Sequence, residues 1–508
     1  MSANAQKLQK TYQSLCDYVQ QTAMLSGVEE LLQWDECTKM PPAAGPYRAE
    51  QVALVAGILH KRHTDSRLGE WLAELEDSPL AADPHSEFGT NIRLLARDYE
   101  KKTKLPQKLV EELSRTSVLA QQTWAEARKN DDFASFAPLL EKTFELKRQE
   151  AAALGFNATP YDPLLDDYEP GESTANVASV LGALREEIVP LVQEIIGSNH
   201  QPDRSVLEQD YEITQQEKLG RHVAEQIGYD FNAGRLDTTV HPFCCTPGAG
   251  DVRICTRYSI DNFENALFST IHEVGHALYE QGLVREQHGL PTGTSVSLGI
   301  HESQSRMWEN QVAFSRGFWK HFFPVTQEHF PTVLKNSSPE AFYAALNCVR
   351  PSLIRVDADE VTYNLHIFIR FEIEQALLEE RLSIADLPEA WNAKYQEYLG
   401  LTPPSNAEGV MQDVHWGAGL VGYFPTYALG NLYAAQFYAK AEQDLGDLQA
   451  AFAEGEFGGL LGWLREHIHQ PGQRYSPAEL VERVTGEPLS HEPLLSQLRS
   501  KYGELYRL

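Results

Sequence analysis

The sequence predicts a mainly α-helical protein with one small β-hairpin, and three observations lead there. Apolar residues recur at three- and four-residue spacing through almost all of the 508 positions, the mark of helices with one buried face. The period shortens to β-branched and aromatic runs in one region only, 235–258. No linker, fixed-period repeat or low-complexity segment divides the chain, so one unit spanning 1–508 is expected.

The first apolar stripe covers 8–34 and ends before Pro41-Pro42, where helix hydrogen bonding cannot continue. Stripes of the same kind follow at 48–61, 66–76, 87–102, 107–129 and 133–154, separated by short polar joints. Pro160, Pro163 and Pro170, set among aspartates and tyrosines, mark 157–171 as an ordered loop. Helices near 176–198 and 213–227 complete an N-terminal helical part, 1–230. Next come two strand-like runs, 235–243 and 251–258, with Thr246-Pro247-Gly248-Ala249-Gly250 as the joint of a hairpin. Helix returns afterwards, interrupted by loops at 283–299, 348–357, 400–422 and 469–476.

The stretch Ile271-His272-Glu273-Val274-Gly275-His276 stands inside one of these helices, 262–286, with Asp261 offered as its N-cap. Residues four apart lie above one another on a single helix face, about 6 Å apart in rise. His272 and His276 can therefore close on one metal ion, and two neutral imidazoles suit Zn²⁺. Glu273 projects to the side, where it can reach a water on the metal and act as general base. A catalytic zinc takes three protein ligands and keeps one position open. Glu302, 26 residues after His276, is the expected third ligand, at the start of a second helical pattern over 303–322. His301 is the alternative, ranked lower because its neighbour on a helix points about 100° away. The catalytic part is thus expected at 231–508.

Composition bounds the partners. A net charge of −29 argues against nucleic acid and anionic membranes. The start, Met1 to Lys7, is polar and leads into an amphipathic helix without the apolar core of a signal peptide, and no run is long enough to span a membrane. A cytoplasmic location is expected. The six cysteines, Cys16, Cys37, Cys244, Cys245, Cys255 and Cys348, have no metal-type spacing and read as small apolar residues rather than disulfides.

Six segments in order then carry a resemblance: His241-Pro242-Phe243, Asp251 to Thr256, the His272 to His276 motif, His301-Glu302-Ser303-Gln304, Ile354 to Asp359, and Gly409 to Trp416. Together they resemble the thermostable carboxypeptidase family of zinc metallocarboxypeptidases, along the full length of the chain. One departure is Cys255, where that family has threonine; Thr256 stands beside it. The resemblance implies a saddle-shaped helical protein with a deep groove, a small β element beside the active site, and a homodimeric state. It implies release of single C-terminal residues from peptides with broad specificity, metal ligands at His272, His276 and Glu302, and a general base at Glu273. It also implies that His241-Pro242-Phe243 narrows the groove.

An exopeptidase must hold a free carboxylate, for which a guanidinium is better shaped than an ammonium. Arg355 is the first candidate, Arg253 on the hairpin the second and Arg350 the third; Asp357 and Asp359 can buttress them or cap the next helix. His415 and Tyr423 resemble the histidine and tyrosine with which related zinc peptidases stabilise the developing oxyanion, and Tyr427 is the alternative tyrosine. Gln412 is grouped with the substrate-binding residues, and Asp413 with orientation of a histidine. Two His and one Glu would also accept Co²⁺ or Mn²⁺. A hairpin edge beside the cleft can bind an extended peptide by strand addition. An oligopeptidase or dipeptidyl-carboxypeptidase on the same scaffold, and a peptide-binding scaffold without catalysis, are the alternative functions.

Overall fold

The computed structural model describes residues 3–508; the polar lead Met1-Ser2 lies outside them. The helices in order are α1 (Ala3–Thr38), α2 (Gly45–His63), α3 (Ser66–Glu76), α4 (Glu87–Lys104), α5 (Gln107–Asn130), α6 (Phe133–Leu154), α7 (Asp162–Leu165), α8 (Thr174–Gly197) and α9 (Ile213–Gln226). Strands β1 (Gly234–Thr238), β2 (Phe243–Gly248) and β3 (Asp251–Thr256) follow. The C-terminal half continues with α10 (Phe263–Gly282), α11 (Leu298–Arg306), α12 (Arg316–His329), α13 (Pro339–Leu346), α14 (Tyr363–Leu378), α15 (Leu387–Leu399) and α16 (Pro425–Leu445). Further helices close the chain, ending with Glu492–Tyr506. The mainly α reading stands, and each long apolar stripe of the N-terminal part became a helix.

The β element differs from the expected hairpin. Its order is β1-β3-β2, with β1 parallel to β3 and only β2 antiparallel to it. The run 235–243 is therefore not one strand: it breaks after Thr238, and the hairpin is β2–β3. Ala249-Gly250 makes the turn, with Gly250 at φ +80°, a conformation that favours glycine. Cys244 and Cys245 were legible only as a small apolar pair, yet they form the centre of β2. That strand is left at the sheet edge, against α1 and α10.

Two further boundaries moved. Asn262, not Asp261, caps α10, accepting from the Asn265 N–H at 3.0 Å, while the Asp261 carboxylate is taken by the Ser259 hydroxyl. The pattern over 303–322 is not one helix either. It comprises the end of α11, a π-helical segment Met307–Ala313, and α12 after a break at Ser315.

One large apolar core joins α6, α8, α10, α14 and α16, with Trp308, Trp319 and Trp391 fully enclosed. A smaller cluster ties α1, α3 and α4 through Tyr12, Leu15, Leu72, Leu75 and Ile92. No helix among the described residues is long and apolar enough to cross a membrane.

Candidate metal centre and cleft

Helix α10 buries an apolar stripe of Phe263, Leu267, Ile271, Val274 and Leu278 in the large core, which turns His272 and Glu273 toward a cleft, with His276 one turn further along the helix. Two glycines then decide how near α11 can come. A Cβ at Gly275 would stand 2.5 Å from the Ser305 Cα, and one at Gly430 on α16 would stand 2.5 Å from the Glu302 Cγ. With hydrogens there instead, α11 sits between α10 and α16 and delivers Glu302 to the histidines.

Glu302 Oε2 lies 3.6 Å from His272 Nε2 and 3.5 Å from His276 Nε2. One donor atom from each of the three residues falls within 4.8 Å of the others, a separation one ion can bridge. The remaining ring nitrogens are engaged: His272 Nδ1 meets Glu309 Oε2 at 2.7 Å, and His276 Nδ1 meets the His301 carbonyl at 3.1 Å. Burial lowers the His276 pKa to about 3, which keeps its ring a neutral donor at neutral pH. Burial alone would raise Glu302, but Arg306, His272 and His276 hold it well below the usual carboxylate range. Arg306 Nε donates to Glu302 Oε1 at 2.7 Å, while Oε2, which accepts from the Ser305 hydroxyl at 3.2 Å, faces the two histidines. Two imidazoles, a carboxylate and fixed outer hydrogen bonds suit a divalent transition metal. His301, the rival ligand, stacks on His276 with ring centres 4.5 Å apart and turns its Nε2 to Glu280 at 3.0 Å.

Glu273 lines the same cleft, a space of about 770 Å³. It is 7% exposed, and burial pushes its pKa up to about 7. Arg355 also lines the cleft and is buried, its Nη2 and Nε donating to Asp413 Oδ1 at 2.9 and 3.1 Å and its Nη1 to the Tyr363 hydroxyl at 2.9 Å. Arg370 Nε donates to the other Asp413 oxygen at 2.7 Å. Arg350 lines the cleft, is exposed, and has no ion-pair partner for its guanidinium among the described residues. Tyr427 lines it too, with its hydroxyl 3.3 Å from His415 Nε2.

Other expected residues fall elsewhere. Arg253 on β3 pairs with Asp251 and stacks over Trp34 at 4.4 Å, away from the cleft lining. His241 is exposed in the β1–β2 connection, whereas its neighbour Pro242 lines the cleft. Gln412 stands behind the wall: its oxygen accepts from the Arg355 N–H and Arg370 Nη2, and its amide donates to Leu353, Tyr395 and Glu408. Tyr423 packs edge-on to Tyr427 and Tyr168, with ring centres 5.3 and 5.2 Å away. Asp359 accepts from the N–H groups of Val361 and Thr362, and so caps the turn before α14. Asp413 touches the arginines, and its Oδ1 is 3.8 Å from His415 Nδ1.

Sequence reasoning passed over Arg306, Glu309, Tyr363, Arg370 and Glu374. Arg306 is four residues after Glu302, a helical spacing that could have been noticed. Arg370 and Glu374 come from α14, and only the folded chain brings that helix behind the 400–422 loop. There Glu374 accepts from Tyr161, Trp416 and the Gly422 N–H.

A helix carrying His-Glu-x-x-His, completed by a glutamate from the next helix inside an almost wholly helical body, defines a metallopeptidase architecture. The chain belongs to the carboxypeptidase Taq (M32) metallopeptidase family, whose pattern matches residues 14–502. Thermostable carboxypeptidase 1 of Thermus thermophilus is 48% identical over 505 residues, covering 97% of this chain and 99% of that one. Carboxypeptidase 1 of Bacillus subtilis is 38% identical, covering 97% and 98%. Among solved structures, the M32 carboxypeptidase of Deinococcus radiodurans superposes with a TM-score of 0.95 at 41% identity, covering 98% of this chain and all of that one. Metallocarboxypeptidase 1 of Trypanosoma cruzi gives 0.91 at 31% identity, covering 97% and 99%. The protein is a metallocarboxypeptidase, and a metal cofactor follows from its family.

Proposed function

We propose that the protein is a zinc-dependent enzyme that removes single residues from peptide C-termini with broad side-chain tolerance, using Glu273 as general base. The observation that carries this is the placement of Glu273: it is buried beside the His272–His276–Glu302 cluster and lines the same cleft as Arg350 and Arg355. Zn²⁺ held by those three residues would acidify a coordinated water and polarise the scissile carbonyl, and Co²⁺ or Mn²⁺ could substitute.

The chain's own residues supply the rest. Arg350, the exposed guanidinium in the cleft, takes the terminal carboxylate, with Arg355 behind it as a fixed positive charge. Glu273 takes a proton from the attacking water and passes it to the leaving amino nitrogen. The Tyr427 hydroxyl, supported by His415, donates to the oxygen on which charge develops, and Tyr423 holds that pair in place. The edge strand β2, over Phe243–Cys245 where α1 does not take its backbone groups, binds the backbone upstream of the scissile bond. Gln412 acts by holding Arg355 and Arg370 rather than by touching substrate. A cytoplasmic homodimer acting on peptides, without nucleic-acid or membrane partners, completes the reading.

The test is Glu273→Gln, with metal content measured and products followed by mass spectrometry. Full metal occupancy with turnover lost by at least about a hundredfold supports the reading. Turnover retained in the metal-loaded variant removes Glu273 from the role. Release of dipeptides by the wild type would favour a dipeptidyl-carboxypeptidase instead.

A further inference from the structure

We propose that Glu309 is a positioning residue that sets the tautomer and orientation of His272 for the metal, and that the π-helical turn after α11 delivers it. The proposal rests on the His272–His276–Glu302 metal reading. An ionised carboxylate only accepts hydrogen bonds, so the 2.7 Å contact of Glu309 Oε2 with His272 Nδ1 requires the ring proton at Nδ1. In the neutral ring, the form that binds a metal, the lone pair is then left on Nε2, the atom that faces Glu302. His276 receives the same service from a backbone carbonyl, His301 O at 3.1 Å. The two imidazoles are thus held differently, one by the main chain and one by a single replaceable side chain.

The local backbone is unusual at this point. Residues Met307–Ala313 form a π-helix, and the Phe314 N–H donates to the Glu309 carbonyl five residues back at 3.0 Å. Such turns are rare and concentrate at functional sites. Glu309 is the one residue of the segment that is not buried. Arg306 bridges the ligand and its support, with Nε on Glu302 at 2.7 Å and Nη1 on Glu309 at 3.3 Å. Its guanidinium lies 4.3 Å from the centre of the Tyr363 ring. Clamped this way, Glu309 has little freedom to leave His272. A simpler role, neutralising Arg306 alone, predicts a cost in folding and none in metal affinity.

The experiment measures Zn²⁺ affinity of full-length wild type, E309Q and E309A by competition with a chromophoric chelator, alongside urea unfolding of the metal-free proteins. E309A is expected to bind Zn²⁺ about 10- to 100-fold more weakly, the range found for supports of metal-bound histidine, and E309Q by at least about threefold. A wild-type affinity in E309A, with any loss confined to urea stability, overturns the proposal in favour of the counter-ion role. Should E309A not fold, E309Q decides, and an unchanged affinity there overturns it as well. Failure of the wild type to take up Zn²⁺ would instead remove the metal reading beneath it.

Discussion

Arg355 and Asp413 form a buried ion pair in the wall of the cleft, with Nη2 and Oδ1 2.9 Å apart and both side chains nearly closed to solvent. Burial alone would raise the Asp413 pKa, but Arg355 and Arg370 hold it far below the carboxylate range. One carboxylate therefore compensates two buried guanidinium groups. Removing it leaves two desolvated positive charges facing each other. Asp413→Ala is expected to lose about 3–5 kcal/mol of stability, read as a lower urea midpoint, because breaking a buried pair strands its partner. A midpoint within error of wild type would contradict this account of the wall.

Arg350 makes a prediction of the opposite kind. Its guanidinium is exposed and unpaired, so Arg350→Ala should leave stability within about 0.5 kcal/mol of wild type. It should lower kcat/KM for free-acid peptides about 10- to 100-fold, the worth of a charge-assisted hydrogen bond. The same peptides with C-terminal amides should show little further loss. Equal losses on both would place the carboxylate site elsewhere.

Gly275→Ala sets two effects against each other. Alanine is the better helix former by about 1 kcal/mol in an open helix. Here its Cβ would meet the Ser305 Cα at 2.5 Å and the Gln304 carbonyl oxygen at 2.7 Å, both backbone atoms that cannot step aside. Contact wins: the variant should be about 1–3 kcal/mol less stable and bind metal more weakly as α11 is displaced. A stabilised Gly275→Ala protein would show that the two helices have slack.

Two buried carboxyls predict a pH dependence of folding. Burial raises Glu169 and Glu374 to about 7, although each accepts three hydrogen bonds. Both have ordinary values near 4.3 when the chain is unfolded. Between those values the native state binds more protons than the unfolded one, so stability falls as pH rises. Their contribution is fully present below about pH 4 and gone above about pH 7. Urea midpoints at pH 5.5 and 7.5 should show this fall, and its slope should shrink in Glu374→Gln. A slope unchanged by that substitution would mean Glu374 titrates normally.

Metal removal gives the broadest check. Chelation should abolish hydrolysis and leave the helical circular dichroism largely intact, since none of His272, His276 and Glu302 belongs to the apolar core that α6, α8, α10, α14 and α16 share. Zn²⁺ should restore activity and raise the melting temperature with concentration, as any ligand of the native state does. Collapse of helicity on chelation would recast the metal as structural.

The primary structure alone determined whatever depends on neighbours a few residues apart. The helical stripes, the pairing of His272 with His276 on one face and the sideways Glu273 all follow from the 3.6-residue period. Glu302 was legible because the connection after α10 is long enough to bring the next helix back beside it. Only the tertiary structure decided that β1 runs parallel to β3, since strand direction depends on where the chain goes between its runs. Only packing decided that Arg253 lies over Trp34, that Gln412 stands behind the wall, and that Arg350 has no ion-pair partner among the described residues. Those outcomes depend on which side chains from distant segments meet and compete for the same partner, and local periodicity carries no information about that.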